Sequence, residues 1–149
     1  MPASLRSLSC LVLTACGIAT LSAPVALAGA ESRHRFVNDT NEARLNHDRS
    51  PYAVSSDLTE IAEDWAHWMA RHHELRHNPN IESQVHHWRA LGENVGSGDA
   101  EPPIHRAFMG DSYHRDNILS RTFTQVGIGT ARDDSGRLYV DEVFRQPSG

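Results

Sequence analysis

Two imidazoles and two carboxylates are the side chains of this sequence that could do chemistry together. His77 comes just past a predicted helix, Glu93 stands between a glycine and an asparagine, and Asp111 and His114 share a short polar segment. Side chains at the ends of elements and in loops tend to carry function. If the four converge in one cleft, the imidazoles could hold a divalent metal while the carboxylates orient the rings.

Each of these residues also has a structural interpretation. His77 could be a cation at a helix C-terminus, and Asp111 could cap the turn that follows it. Isolated polar residues are commonly solvated or capping. For any one of the four taken alone, we therefore favour the structural interpretation.

A second constellation overlaps the first. Residues 73–77 read His-Glu-Leu-Arg-His, which is the H-E-x-x-H pattern of zinc peptidases. In that pattern two histidines one helical turn apart bind zinc and the glutamate activates water. Here Asn78-Pro79 is expected to end the helix at the second histidine, so a zinc peptidase is kept only as an alternative.

The first elements that must position these groups are helices. We predict a helix over residues 35–48 and a second one that starts at Ser56 or Asp57 and runs to Asn78-Pro79. The second has one apolar stripe at helical spacing. Its members are Leu58, Ile61, Ala62, Trp65, Trp68, Met69 and His72. A short helix over residues 81–88 follows, then a glycine-rich strand end or loop over 92–98, and Pro102-Pro103 can open a further helix.

The end of the chain has the pattern of a β-hairpin. Val126, Ile128 and Thr130 alternate with glycines, and a turn signal at residues 133–136 precedes a second alternating run. Both faces of that second run carry apolar residues, which indicates helices on two sides of the sheet. We therefore predict an α+β fold, a three-layer α-β-α sandwich with a small antiparallel sheet.

The first thirty residues have the pattern of a secretion signal. Arg6 precedes an apolar run over residues 8–21, and Ala26-Leu27-Ala28 fits a cleavage site. We predict a signal peptide over residues 1–30 and one domain over 31–149, secreted to the extracellular space. In an alternative reading, Leu13-Thr14-Ala15-Cys16-Gly17 is a lipoprotein box, and a lipid on Cys16 anchors the chain to the membrane. Both cysteines lie in the leader, so the domain has no disulfide.

The charged residues exclude one class of partner. All 14 basic residues are arginines, 19 residues are acidic, and the formal net charge is −5. The arginines form no basic cluster or aromatic-interleaved stripe, so nucleic acid is not expected as a partner.

Short motifs in a fixed order run through residues 41–144. They are Asn41-x-x-Arg44, Leu75-x-His77-Asn78, Gly92-Glu93-Asn94-Val95, His114-Arg115-x-Asn117-Ile118-Leu119, Phe123-x-x-Val126-Gly127-Ile128-Gly129 and Tyr139-Val140-x-x-Val143-Phe144. Together they resemble the CAP superfamily of cysteine-rich secretory proteins, antigen 5 and pathogenesis-related proteins. Without cysteine after the leader and without lysine, the chain resembles a short bacterial member.

The resemblance implies an α-β-α sandwich with a cleft that holds two histidines and two acids. His77, Glu93 and His114 match three of these positions. The fourth is a glutamate in better-studied eukaryotic members, and here Asp111 is the nearest acid. Glu142 is a second candidate, but we favour a structural role for it, in which a buried arginine is the partner that its carboxylate needs.

The leading hypothesis is a monomeric extracellular module that acts by binding, without turnover. Its expected ligands are zinc or another divalent metal at His77 and His114, and an apolar or lipid ligand, an envelope component or a protein surface. The lipid is implied by the resemblance alone. The alternatives are a metal-dependent hydrolase with Glu93 as general base, and a purely structural envelope module.

Overall fold

The strands form one sheet, and the helices pack on its two faces. The computed structural model describes residues 23–149. The elements are α1 (Ala23–Leu45), β1 (Ala53–Val54), α2 (Ser56–His72), α3 (Ile81–Gln84), β2 (Trp88–Gly98), α4 (Glu101–Gly110), α5 (Ser112–Ile118), β3 (Gln125–Arg132) and β4 (Leu138–Pro147). The sheet order is β1-β3-β4-β2, with β1 parallel to β3 and the other pairs antiparallel. Within the described residues, β2 is an edge strand.

Helices cover both faces of the sheet. On one face lies α2, and on the other lie α1, α4 and α5. Strand β4 shows why both covers are needed, because residues 138–145 are all buried and a strand buried on both faces must be packed from two sides. The predicted α+β class, the three-layer sandwich and the C-terminal hairpin are confirmed.

The approach of α2 to the sheet is unusually close at β3. A Cβ atom added to Gly129 would lie 2.1 Å from the backbone carbon of Ala62, and one added to Gly127 would lie 2.2 Å from the backbone carbon of Leu58. The glycines that alternate along β3 therefore leave room for the backbone of α2.

Four element boundaries differ from the prediction. The short helix predicted over residues 81–88 ends at Gln84, and Trp88 already begins strand β2. Helix α1 runs from Ala23 to Leu45 instead of over residues 35–48. Helix α2 ends at His72, because His73 adopts a left-handed conformation with φ 52°, so the expected stop at Asn78-Pro79 is wrong. Residues 88–98 form a complete strand instead of a strand end or loop.

Part of the predicted leader lies in the described structure. Helix α1 continues through Ala28 and Ala30, and the Thr130 hydroxyl donates to the Gly29 carbonyl at 2.9 Å. The apolar run over residues 8–21 and both cysteines lie outside the described residues, so the signal peptide and the lipid anchor on Cys16 stay predictions. Of the helices described, none is both long enough and apolar enough to cross a bilayer.

A buried arginine fixes α1 against α5. The Arg44 side chain, 4 % exposed, donates to the carbonyls of Ser50 and Ile118 at 2.7 Å and of Ser120 at 2.9 Å. Its guanidinium lies 3.5 Å from the centre of the Tyr52 ring. By bonding carbonyls around the end of α5, Arg44 holds in place the helix that carries His114.

Candidate functional site

The first part of the candidate site is a histidine–carboxylate pair on the α2 side of the sheet. The Nδ1 atom of His77 contacts Oε2 of Glu93, which lies on β2. The backbone N–H of Asn78 donates to both carboxylate oxygens, at 3.0 and 3.2 Å. The Trp65 indole donates to the Arg76 carbonyl at 2.9 Å and so pins the segment before His77. Trp65 thus holds the loop before His77 in place, in addition to packing α2 against the sheet.

Burial dominates the electrostatics of this pair. Only 7 % of the Glu93 side chain is exposed, whereas 65 % of the His77 side chain is. Burial raises the pKa of the Glu93 carboxyl, and the hydrogen bonds from Asn78 and His77 offset only part of that rise. The carboxylate is thus the fixed partner and the imidazole is the one that faces solvent.

The second part is another histidine–carboxylate pair, at the start of α5. Asp111 is the N-cap of this helix, and its Oδ1 accepts from the backbone N–H groups of Tyr113 at 3.0 Å and His114 at 3.2 Å. The same oxygen lies 2.9 Å from Nδ1 of His114, whose ring stacks on Phe108 with the centroids 4.9 Å apart. The backbone N–H of His114 is the main reason that the pKa of Asp111 is lowered. Asp111 therefore has the capping role of its structural interpretation and also orients His114.

A buried polar network lies behind the two pairs. The Asn94 amide donates to Glu142 at 3.0 Å and to the His114 carbonyl at 3.1 Å. The Asn117 amide donates to the Glu93 carbonyl at 3.2 Å and to the Asn94 side chain at 2.9 Å. Both asparagines therefore tie β2 to α5, and they set the position of one pair relative to the other.

The prediction that an arginine pairs with Glu142 is wrong. The carboxyl accepts from the neutral Asn94 amide and from the Thr40 hydroxyl at 3.3 Å. Glu142 is fully buried, and burial raises its pKa to about 7. Because a carboxyl with a raised pKa can be buried in its neutral form, no arginine is required. Glu142 belongs to the buried network and does not line the cleft.

A cavity of about 500 Å³ lies next to the second pair. It includes Asp111 and His114 in its wall, but neither His77 nor Glu93. Its apolar lining comes from Leu75, Val95, Pro103, Ile104, Ala107 and Phe108. Among the described residues, no three of the four site residues bring their ligand atoms within 4.8 Å of one another. The structure thus shows two pairs around β2 instead of one four-residue centre.

The geometry contradicts the zinc-peptidase pattern. Residues 74–77 are not helical, so His73 and His77 do not lie one helical turn apart on a common face. The His73 imidazole instead lies 3.2 Å from Asp133, while His77 bonds Glu93. The left-handed residue that ends α2 is the physical reason.

One group of possible metal ligands, which includes His73, was not predicted from the sequence. His73 Nδ1 lies 3.2 Å from Asp133 and His73 Nε2 lies 3.6 Å from Asp134, in the turn between β3 and β4. These three residues are the one group among those described whose ligand atoms all lie within 4.8 Å. The pKa of Asp133 is lowered to about 2, chiefly by the Ser135 hydroxyl. The two adjacent aspartates in the turn were the only sign of this group in the sequence. Their histidine partner lies 60 residues earlier, so the sequence did not indicate that the three would meet.

Comparison with known proteins gives the same fold and family. Residues 37–144 match the sequence model of the Cysteine-rich secretory protein family, CAP. The uncharacterized protein YkwD of Bacillus subtilis is 25 % identical over 134 residues, which cover 84 % of this chain and 51 % of YkwD. The chain therefore spans about half the length of the curated relative that it matches.

Solved structures with low sequence identity share the architecture. An outer surface protein of Borrelia burgdorferi, 12 % identical, matches with a TM-score of 0.73 over 79 % of this chain and 94 % of its own. An extracellular SCP-domain protein of Bacillus anthracis, 16 % identical, matches with a TM-score of 0.74 over 84 % of this chain and 43 % of its own. The crystal structure of NaASP2 with Zn2+, 14 % identical, matches with a TM-score of 0.58 over 80 % of each chain. Since the family model covers most of the 149 residues and the fold agrees with these structures, the chain belongs to the cysteine-rich secretory protein (CAP) family.

Proposed function

We propose that this chain is an extracellular CAP domain that binds a divalent metal ion through the Nε2 atoms of His77 and His114, without turnover. The observation that carries the proposal is that each imidazole directs its Nδ1 to a carboxylate. An ionised carboxylate is only an acceptor, so Nδ1 holds the proton and Nε2 keeps a free lone pair. Carboxylates orient metal-ligating histidines in proteins in this way.

The exposure of the two rings supports the same role. The side chains of His77 and His114 are 65 % and 32 % exposed, whereas Glu93 is buried behind the first ring. Water molecules can complete the coordination of a metal bound at such an open position. NaASP2, which shares the fold, has been crystallised with Zn2+.

The environment of Glu93 favours binding over hydrolysis. A general base must reach a water molecule beside the substrate. Both oxygens of Glu93 already accept a hydrogen bond from Asn78, and one of them also contacts His77. A carboxylate that is 7 % exposed and held in this way is suited to orienting His77 and poorly placed to activate water.

An apolar molecule is the second ligand of the proposal. The cavity beside His114 has the volume of a small-ligand site and a mainly apolar wall. Its polar lining residues are Ser97, Asp99, Asp111, His114 and Arg137. A ligand there would contact Phe108 and approach the His114 ring that the metal would use.

Calorimetric titration with Zn2+ at pH 7.5 tests the metal site. The wild-type protein is expected to bind zinc, His77→Ala or His114→Ala to weaken that binding at least about tenfold, and the double variant to abolish it, because imidazoles are the ligands. His67→Ala, an exposed position on α2, is the matched control. His73→Ala identifies any separate binding by the His73–Asp133–Asp134 group.

Two results would count against the proposal. Zinc affinity in the double variant equal to that of the wild type would remove His77 and His114 from the site. Hydrolysis of peptide or ester substrates that is inhibited by chelators and lost in Glu93→Gln would establish the enzyme alternative instead.

A further inference from the structure

A buried acid lies directly behind the His77–Glu93 pair. Asp141 occupies β4 opposite Val95 of β2 and Gly129 of β3, and it is fully buried. Among the described residues no N–H or O–H group donates to either of its carboxyl oxygens. The neighbouring residue, Glu142, belongs to the opposite face of the sheet and has its own donors.

The lack of donors determines the form in which Asp141 is buried. An ionised carboxylate without hydrogen bonds or a cation is costly to bury, as any unpaired charge is. Burial, together with the nearby Glu93 and Glu142 carboxyls, raises the pKa of Asp141 well above its usual range. Asp141 is therefore a neutral carboxylic acid with one O–H donor.

The acceptor for that donor is Glu93. On β2 and β4, Glu93 stands opposite Val143, so Asp141 is its diagonal neighbour on the same face. Glu93 contributes to the raised pKa of Asp141, and Asp141 in turn lowers the pKa of Glu93, as expected for two facing carboxyl groups. Glu93 then receives three donors: the Asn78 N–H and the His77 Nδ1–H from the loop, and the Asp141 O–H from the sheet.

We propose that Asp141, as a neutral acid, is a positioning residue of the candidate site, which donates to Glu93 and so fixes the carboxylate that orients His77. The role in metal binding rests on the proposed function, but the effect on the His77 ring does not. A valine would fill the same place between α2 and the sheet without a buried polar group. The hydrogen bond that Asp141 donates to Glu93 distinguishes it from a residue that only fills space.

The experiment compares Asp141→Asn, which keeps a donor, with Asp141→Val, which keeps the volume alone. Nitrogen NMR of the metal-free full chain reports the Nδ1–H and Nε2–H tautomers of His77. The wild type and Asp141→Asn are expected to hold mainly the Nδ1–H form, and Asp141→Val to shift toward a mixture. Zinc affinity should follow, with a loss of about tenfold in Asp141→Val and rescue in Asp141→Asn, as for other residues that orient a ligand.

Controls separate this role from a loss of packing or of metal binding. Thr40→Val removes a donor to Glu142 on the opposite face, and we expect the His77 tautomers to be unchanged. If Asp141→Val does not fold, Asp141→Ala replaces it, since the smaller side chain cannot clash. An unchanged tautomer ratio in the apolar variant overturns the inference. If the wild type binds no zinc, the proposed metal site fails, while the tautomer comparison still decides the role of Asp141.

Discussion

Gly129→Ala is expected to destabilise the domain by about 3 kcal/mol or more, at the upper end of the range for overpacked cores. The added Cβ would lie 2.1 Å from the backbone carbon of Ala62 and 2.1 Å from the backbone nitrogen of Glu63. These atoms have no rotamer to escape into, so α2 must move away from β3. The midpoint of thermal unfolding should fall by about 10 °C for a domain of this size.

Gly110→Ala is the matched control for this substitution. Gly110 closes α4, and a Cβ atom there would meet nothing within 4 Å. The free energy of unfolding of the variant should lie within about 0.5 kcal/mol of the wild-type value or slightly above it, since alanine is the better helix former. Equal losses in the two variants would mean that the contact between α2 and β3 is not the cause.

Glu142→Gln is expected to stabilise the protein above pH 7 and to change little near pH 4.5. The pKa of Glu142 is about 7 in the folded chain and close to 4.5 in an unfolded one. Since the folded value is the higher, the stability is fully present below the unfolded pKa and is lost as the pH rises through the folded pKa. The loss amounts to about 3 kcal/mol at pH 8, which glutamine avoids.

Urea unfolding at pH 5 and pH 8 measures the effect. The stability gained by the variant should appear at pH 8 and be small at pH 5. Glu60→Gln, exposed on α2, should follow the wild type at both pH values. Glu101, whose pKa burial also raises to about 7, leaves part of the pH dependence in place. A variant that is less stable than the wild type at both pH values would show that the charged form of Glu142 is the favourable one.

The periodic patterns of the sequence predicted the packing elements well, because burial on one face or two leaves a direct trace. The stripe of α2 and the alternation of β3 and β4 are such traces. Strand β2 was not recognised because glycines interrupt its pattern. A Cβ atom at Gly96 would meet Phe108 and Ile104 within 3.0 Å, and one at Gly92 would meet Phe123. These glycines are close-packing positions of a strand and not breaks.

The sequence singled out four residues for the candidate site but did not predict their pairing. His77, Glu93, Asp111 and His114 form contacts, but which acid faces which histidine follows from where α2 ends and how α5 is capped. The end of α2 depends on one left-handed residue, His73, that no hydrophobic period reveals. The role of Asp141 was not predicted from the sequence for a different reason. It shares a face with Tyr139 and Val143, and only the register of β2 against β4 places it beside Glu93.

The two pairs belong to different covers of the sheet: His77 follows α2, and His114 lies on α5. A metal ion held by both would therefore be a cross-link between the two helical layers. Residues 31–149 contain no cysteine. The ion would therefore be a reversible cross-link, whereas many extracellular domains have a covalent disulfide. At a free-metal concentration one hundred times the Kd, this linkage would add about 2.7 kcal/mol to the folded state, and a chelator would take it away.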